Sequence, residues 1–173
     1  MQPNSLNTKI QSWARYKNII VVGPCRSGST FFSQYISSKL NCLTIDEEVH
    51  RYKDSIFKYL LNAKFKKVIQ SPGYFCTSHL FSDSDTLYVI MIRDIKDIIR
   101  SSKRINNEVS HIGFERVYAR YKKYVGDKFI KQHKPKTLAF GESAKFRYKI
   151  WNEYQKHKTK NYVEIKYTEL ENA

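Results

Sequence analysis

With 173 residues, 41% of them hydrophobic and 14% aromatic, the chain can bury a core of one domain and is too rich in packing side chains to be disordered. Its formal net charge of +15 asks for an anionic partner or surface without saying which: a phosphorylated small molecule, a sulfated acceptor, a membrane surface and nucleic acid all fit the sign. Lysines spread over solvated helix faces account for most of the excess with no partner at all.

Cys25, Cys42 and Cys76 are odd in number and lack C-x-x-C spacing, so they indicate neither a disulfide framework nor a zinc site and suit a reducing compartment. No run approaches the roughly 20 apolar residues of a membrane span, and no basic segment followed by an apolar core opens the chain. A cytoplasmic protein is the expectation.

In chain order, Met1 to Lys17 is polar, with Ile10, Trp13 and Ala14 on a short predicted helix that lays Trp13 against the domain. Ile19 to Val22 is a β-branched run that suits a buried parallel strand. Gly23 to Gly28 is a glycine loop, and from Ser29 the residues Phe31, Phe32, Tyr35, Ile36 and Leu40 recur at helical spacing. Strand, glycine loop and helix in this order make a phosphate site, because unpaired N–H groups and the helix dipole converge on one spot.

The loop nearly fits the nucleoside-triphosphate pattern G-x-x-x-x-G-K-[ST], but Ser29 stands where that pattern has its lysine. The cation sits within the loop instead, at Arg26. A ligand-free turn would need the glycines alone; Arg26 with the hydroxyls of Ser27, Ser29 and Thr30 exceeds that need.

Pro24-Cys25-Arg26-Ser27-Gly28-Ser29-Thr30-Phe31 resembles the 5′-phosphosulfate loop P-[KR]-S-G-[ST]-T of sulfotransferases that use 3′-phosphoadenosine 5′-phosphosulfate (PAPS), with Cys25 inserted. By this resemblance Arg26, Ser27, Gly28, Ser29 and Thr30 hold the phosphosulfate.

Cys42 to Ile45 predicts a second strand, ending in Asp46-Glu47-Glu48. Asp46 can cap a helix that carries Glu47 and Glu48 in its first turn. Alternatively, the resemblance makes Glu48, with Glu47 as its stand-in, the base that takes the acceptor's hydroxyl proton. Tyr52 to Phe65 reads as a covering helix; Lys67 to Gln70 as a strand; and Tyr74 to His79, after the turn signal Ser71-Pro72-Gly73, as a further strand or edge. Thr77-Ser78-His79-Leu80-Phe81 resembles the K-T-H-L-P segment of cytosolic sulfotransferases without its lysine and proline, which makes His79 the competing base.

Leu87 to Ile92, the longest apolar run, predicts a central strand buried on both faces. Arg93-Asp94-Ile95-Lys96-Asp97 and Ser101 match the sulfotransferase pattern R-[DN]-x-x-D with a serine eight residues after the arginine. The resemblance gives Arg93 and Ser101 the cofactor's 3′-phosphate. An arginine fork and a hydroxyl suit that anion, although Arg93 pairing with Asp97 is the structural alternative. A long basic helix is expected from Phe114 to Phe129, ended by Pro135, then a helix within Gly141 to Lys158 and a last strand from Tyr162 to Tyr167. The strand runs into Thr168-Glu169-Leu170, where relatives carry Y-E-D-L; longer relatives continue to an R-K-G segment over the 3′-phosphate.

The expectation is a single α/β domain over residues 1–173, with a three-layer P-loop nucleotide-kinase-like fold around a mostly parallel sheet of about five strands. The resemblance implies transfer of a sulfonyl group from PAPS to a hydroxyl or amine on a small-molecule or glycan acceptor. The product nucleotide is adenosine 3′,5′-bisphosphate (PAP), and no metal is called for. Two alternatives come from other classes: a non-catalytic basic protein that binds nucleotide or nucleic acid, and a P-loop phosphotransferase, against which Ser29 speaks.

Overall fold

The computed structural model describes residues 5–51, 53–104, 110–133 and 140–171. Its centre is β1 (Asn18–Val22), buried at every position. Because strand side chains alternate, Ile19 and Val21 enter one apolar cluster while Ile20 and Val22 enter another on the opposite face. The sheet has five strands in the order β2 (Leu43–Ile45), β3 (Lys67–Gln70), β1, β4 (Thr86–Ile92), β5 (Tyr162–Lys166). All four pairings are parallel.

Helices cover both faces and complete three layers. On one side α1 (Ser5–Ser12) and α2 (Ser29–Leu40) bring Leu6, Ile10, Phe32 and Ile36 onto Ile19, Val21, Leu87 and Val89. On the other, α4 (Asp54–Asn62) brings Phe57, Leu60 and Leu61 onto Ile20, Ile69 and Tyr88, where Trp151 also packs. A smaller cluster of Tyr121, Val125, Ile130, Phe146 and Ile150 joins α6 (Ser110–Val125), α7 (Asp127–Gln132) and α8 (Phe140–Ile150) to Cys76.

The chain leaves β1 for β2 and β3 on one side, then crosses to β4 on the other. The loop after β1 therefore opens between the carboxyl ends of β3 and β4, the switch point at which open parallel sheets hold ligands.

Several local expectations change. Tyr74 to His79 is no strand: Pro72–Thr77 forms a fully buried 3₁₀ turn, because proline lacks the N–H a ladder needs and its fixed φ starts a tight turn. The middle of the sheet is β1, and β4 lies beside it, buried on both faces between β1 and β5. The long basic helix breaks at Gly126, whose φ of 113° leaves the helical region, and resumes as α7. The helix after Gly141 passes into a π turn at Trp151–Gln155. The covering helix is the shorter α4, and Trp13 begins a 3₁₀ turn after α1. Tyr52 and Pro135 lie outside the described residues.

Candidate active site

The loop Gly23 to Gly28 ends in two left-handed residues, Arg26 with φ 67° and Gly28 with φ 94°. Gly28 is the cap residue before α2, and a Cβ there would stand 2.8 Å from the Tyr167 ring, so both the torsion and the space demand glycine. Gly28 has no side chain to cap α2, and the first N–H groups of the helix have no acceptor within it. Ser27 Oγ is fully buried in the loop and without a hydrogen-bond partner among the described residues. Ser29 Oγ is buried and accepts from Gln70 Nε2 at 3.4 Å, while Thr30 is exposed beside it.

The second motif comes to the same place from the end of β4. Arg26 Nε donates to Ser101 Oγ at 3.2 Å, and Arg93 Nη1 donates to the Arg26 carbonyl at 2.8 Å. Ser101 lies on α5 (Ile95–Lys103), which Asp94 caps by accepting from Lys96 N at 2.7 Å. Asp97 pairs with Arg100 at 3.1 Å, and the Arg93 guanidinium instead covers the Tyr167 ring at 3.8 Å. Tyr148 fixes the turn, accepting from Arg93 N at 3.0 Å and donating to the Met91 carbonyl at 3.1 Å; burial pushes its phenol up to about 12. Arg26, Ser27, Gly28, Ser29, Thr30, Arg93 and Ser101 thus form one basic, hydroxyl-rich corner.

The carboxylates after β2 divide. Asp46 caps α3 (Glu47–His50), accepting from Glu48 N at 3.0 Å, so the cap that the sequence allows is formed. Glu47 turns inward: Gly73 N donates to its Oε1 at 3.1 Å, and its own N–H donates to Gln70 Oε1 at 3.0 Å. Gln70 therefore joins Glu47 to Ser29, the first residue of α2. Glu48 turns outward, 69% exposed, and pairs with Arg51 at 3.0 Å. Burial pushes the Glu47 carboxyl up; Arg51, the Gly73 N–H and Arg147 pull it back.

His79 is engaged elsewhere. Its Nε2 meets the Tyr124 carbonyl at 3.2 Å, its ring stands edge-on to Tyr154, and burial lowers its pKa, so it is neutral at pH 7. Among the described residues no hydrogen bond joins it to the loop.

Sequence reasoning missed Gln70, Arg147, Tyr148 and Tyr167. Gln70 alone had a usable signal, as a polar residue ending a buried parallel strand. Arg147 and Tyr148 fall between the apolar positions of their helix, and Tyr167 read only as the end of a strand. Among the described residues no three His, Cys, Asp or Glu side chains gather as a metal centre requires. Likewise, no helix there is long and apolar enough to cross a membrane.

No protein-family model matches the chain, and no curated protein matches its sequence. Among solved structures it is similar to shikimate kinase from Acinetobacter baumannii in complex with shikimate, at 12% identity and a TM-score of 0.57, with 90% of this chain and 87% of that one covered. Fold and loop together define a P-loop nucleotide-kinase-like α/β domain.

Proposed function

We propose that the chain is a sulfotransferase that binds PAPS and moves its sulfonyl group to an acceptor hydroxyl or amine, releasing PAP. The observation that carries this reading is the contact of Arg26 with Ser101 and Arg93, which unites two anion motifs from different strands in one corner. A donor with phosphate groups at both ribose ends needs two such motifs; a nucleoside triphosphate needs one. The loop N–H groups, Arg26 and the buried Ser27 hydroxyl suit the phosphosulfate, and Arg93 with Ser101 suits the 3′-phosphate.

In the reaction the acceptor oxygen or nitrogen attacks sulfur and the bond from sulfur to the bridging phosphate oxygen breaks. Arg26 and the loop N–H groups stabilise charge growing on the sulfonyl and leaving phosphate oxygens. Glu47 takes the acceptor's proton: although the sequence puts Glu48 first, the inward turn of Glu47 onto Gly73 favours it over the outward Glu48. The acceptor is a small molecule or glycan that enters beside Glu47.

Phosphoryl transfer is the second reading, favoured by the fold likeness to a kinase. Ser29 in the position of the phosphate-bridging lysine weighs against it. Incubation with ³⁵S-labelled PAPS and a panel of hydroxyl and amine acceptors tests the proposal. Labelled product that disappears with Arg26→Ala supports it; labelled phosphate transferred from ATP under the same conditions, without sulfonyl transfer, overturns it.

A further inference from the structure

Arg147 lies on α8, remote in sequence from every anion motif, yet it is only 4% exposed. Its Nη1 donates to the Gly23 carbonyl at 3.4 Å and to the Pro72 carbonyl at 3.3 Å. Gly23 opens the donor loop, and Pro72 directly precedes Gly73, whose N–H holds Glu47 Oε1. One buried guanidinium therefore ties the donor loop to the turn that grips the inward carboxylate.

We propose that Arg147 is a positioning residue that holds Glu47, as a carboxylate, in fixed relation to the donor loop. The catalytic consequence rests on the sulfonyl-transfer reading. The structural and electrostatic role does not.

A carboxyl taken out of water shifts toward its neutral form unless an opposite charge is near. Among the described residues two charged groups act on Glu47 in that sense, Arg51 more strongly than Arg147. Arg51, on the segment that follows α3, stands 3.6 Å away but is 48% exposed and shared with Glu48. Its attraction is weakened by water and screened by salt. Arg147 reaches the site from α8 through the protein interior, where salt screens it much less. From the turn after β3, the Gly73 N–H contributes an uncharged hydrogen bond to the carboxylate, while Gln70 on β3 accepts only from the Glu47 backbone N–H. Arg147 is thus the part of the field on Glu47 that persists at high ionic strength, and it also fixes the Pro72-Gly73 turn.

The test is a pH titration of ¹³C-carboxyl glutamate by NMR, with the Glu47 resonance identified by its loss in Glu47→Gln. Arg147→Met is expected to raise the Glu47 midpoint, and Arg147→Lys to restore most of it. In about 1 M NaCl, which shortens screening to roughly 3 Å, the wild-type midpoint is expected to move no further than it does in Arg51→Met at low salt. That comparison needs no change at Arg147, so a midpoint that salt moves further counts against the proposal even where Arg147→Met does not fold.

Equal midpoints in wild type and Arg147→Met, or a wild-type midpoint that salt moves clearly further than Arg51→Met does, overturn the proposal. With an active acceptor in hand, the acid limb of the kcat profile should follow the NMR midpoint; a limb that stays in place in Arg147→Met also overturns it. A midpoint that moves as expected in a protein that transfers no sulfonyl group overturns the sulfotransferase reading and leaves the role of Arg147 standing.

Discussion

Arg26 and Ser101 are 75 positions apart in the chain, yet Arg26 Nε donates to Ser101 Oγ at 3.2 Å. The contact follows from the sheet. β1 and β4 are paired in parallel with Val22 opposite Ile90, so the loop after one strand and the helix after the other open from the same edge. Arg93 closes the arrangement through the Arg26 carbonyl, and Tyr167 supports the Arg93 guanidinium from behind.

The assignment of Arg93 and Ser101 to the 3′-phosphate makes their loss selective. Removing a hydrogen bond to a charged group costs about 1.5–3 kcal/mol. Arg93→Ala should weaken PAP by that amount, and Ser101→Ala should weaken it in the same direction, while adenosine 5′-monophosphate, which lacks the 3′-phosphate, is affected far less. Calorimetric titration of both nucleotides checks this; equal losses for the two would contradict the assignment.

At Gly28 the backbone itself is the constraint. A side chain at φ 94° carries a torsional cost of roughly 1–2 kcal/mol, and the added Cβ would meet the Tyr167 ring at 2.8 Å. Gly28→Ala should therefore lower Tm by several degrees, at about 2–4 °C per kcal/mol for a chain of this size, and should loosen nucleotide binding. Introduced into Tyr167→Ala, the same change should cost less, because only the torsional part remains. A Tm equal to wild type would show that the loop relaxes freely.

The choice of base is read from turnover. Glu47→Gln should lower kcat by about 10²–10⁴-fold with PAP affinity nearly intact, whereas Glu48→Gln and His79→Ala should stay close to wild type. A loss confined to Glu48→Gln or His79→Ala, in a folded protein, moves the base there.

The sequence made the frame legible where hydrophobic runs are long or β-branched. Ile19 to Val22 and Leu87 to Ile92 are buried strands, and the glycine loop does start a helix. It did not foretell Pro72–Thr77, since an apolar segment of that length fits a strand or a buried turn equally until Pro72 decides. Nor could it separate Glu47 from Glu48. Neighbours on a helix point about 100° apart, and which one faces inward depends on how α3 leaves β2. Arg147 and Tyr148 gain their places only through tertiary contacts, Arg147 with Gly23 and Pro72 and Tyr148 with Met91, and local pattern is silent about those.

Asp54 supplies an acid-side prediction. It accepts from Tyr74 Oη at 2.8 Å, Arg120 Nη2 at 2.7 Å and the Tyr124 hydroxyl, joining α4 to α6. Burial pushes this carboxyl up, but the three hydrogen bonds outweigh it and hold its pKa at about 2 against an ordinary 3.8. Between those values the unfolded chain binds a proton that the folded one does not, so stability falls as pH falls. The stabilisation is whole above 3.8 and lost as pH drops through about 2. Urea unfolding of wild type and Asp54→Asn should show a gap at pH 5 that closes toward pH 2. A gap independent of pH would contradict the ionised state of Asp54.

The central claim is that two anion motifs serve one donor with phosphate groups at both ribose ends, and competition between nucleotides tests it most directly. Isothermal titration calorimetry at fixed ionic strength, run with PAP and with ATP, should give the tighter Kd for PAP, and the advantage should vanish in Arg93→Ala. Equal or tighter binding of ATP to the wild-type protein would contradict the account and support phosphoryl transfer instead.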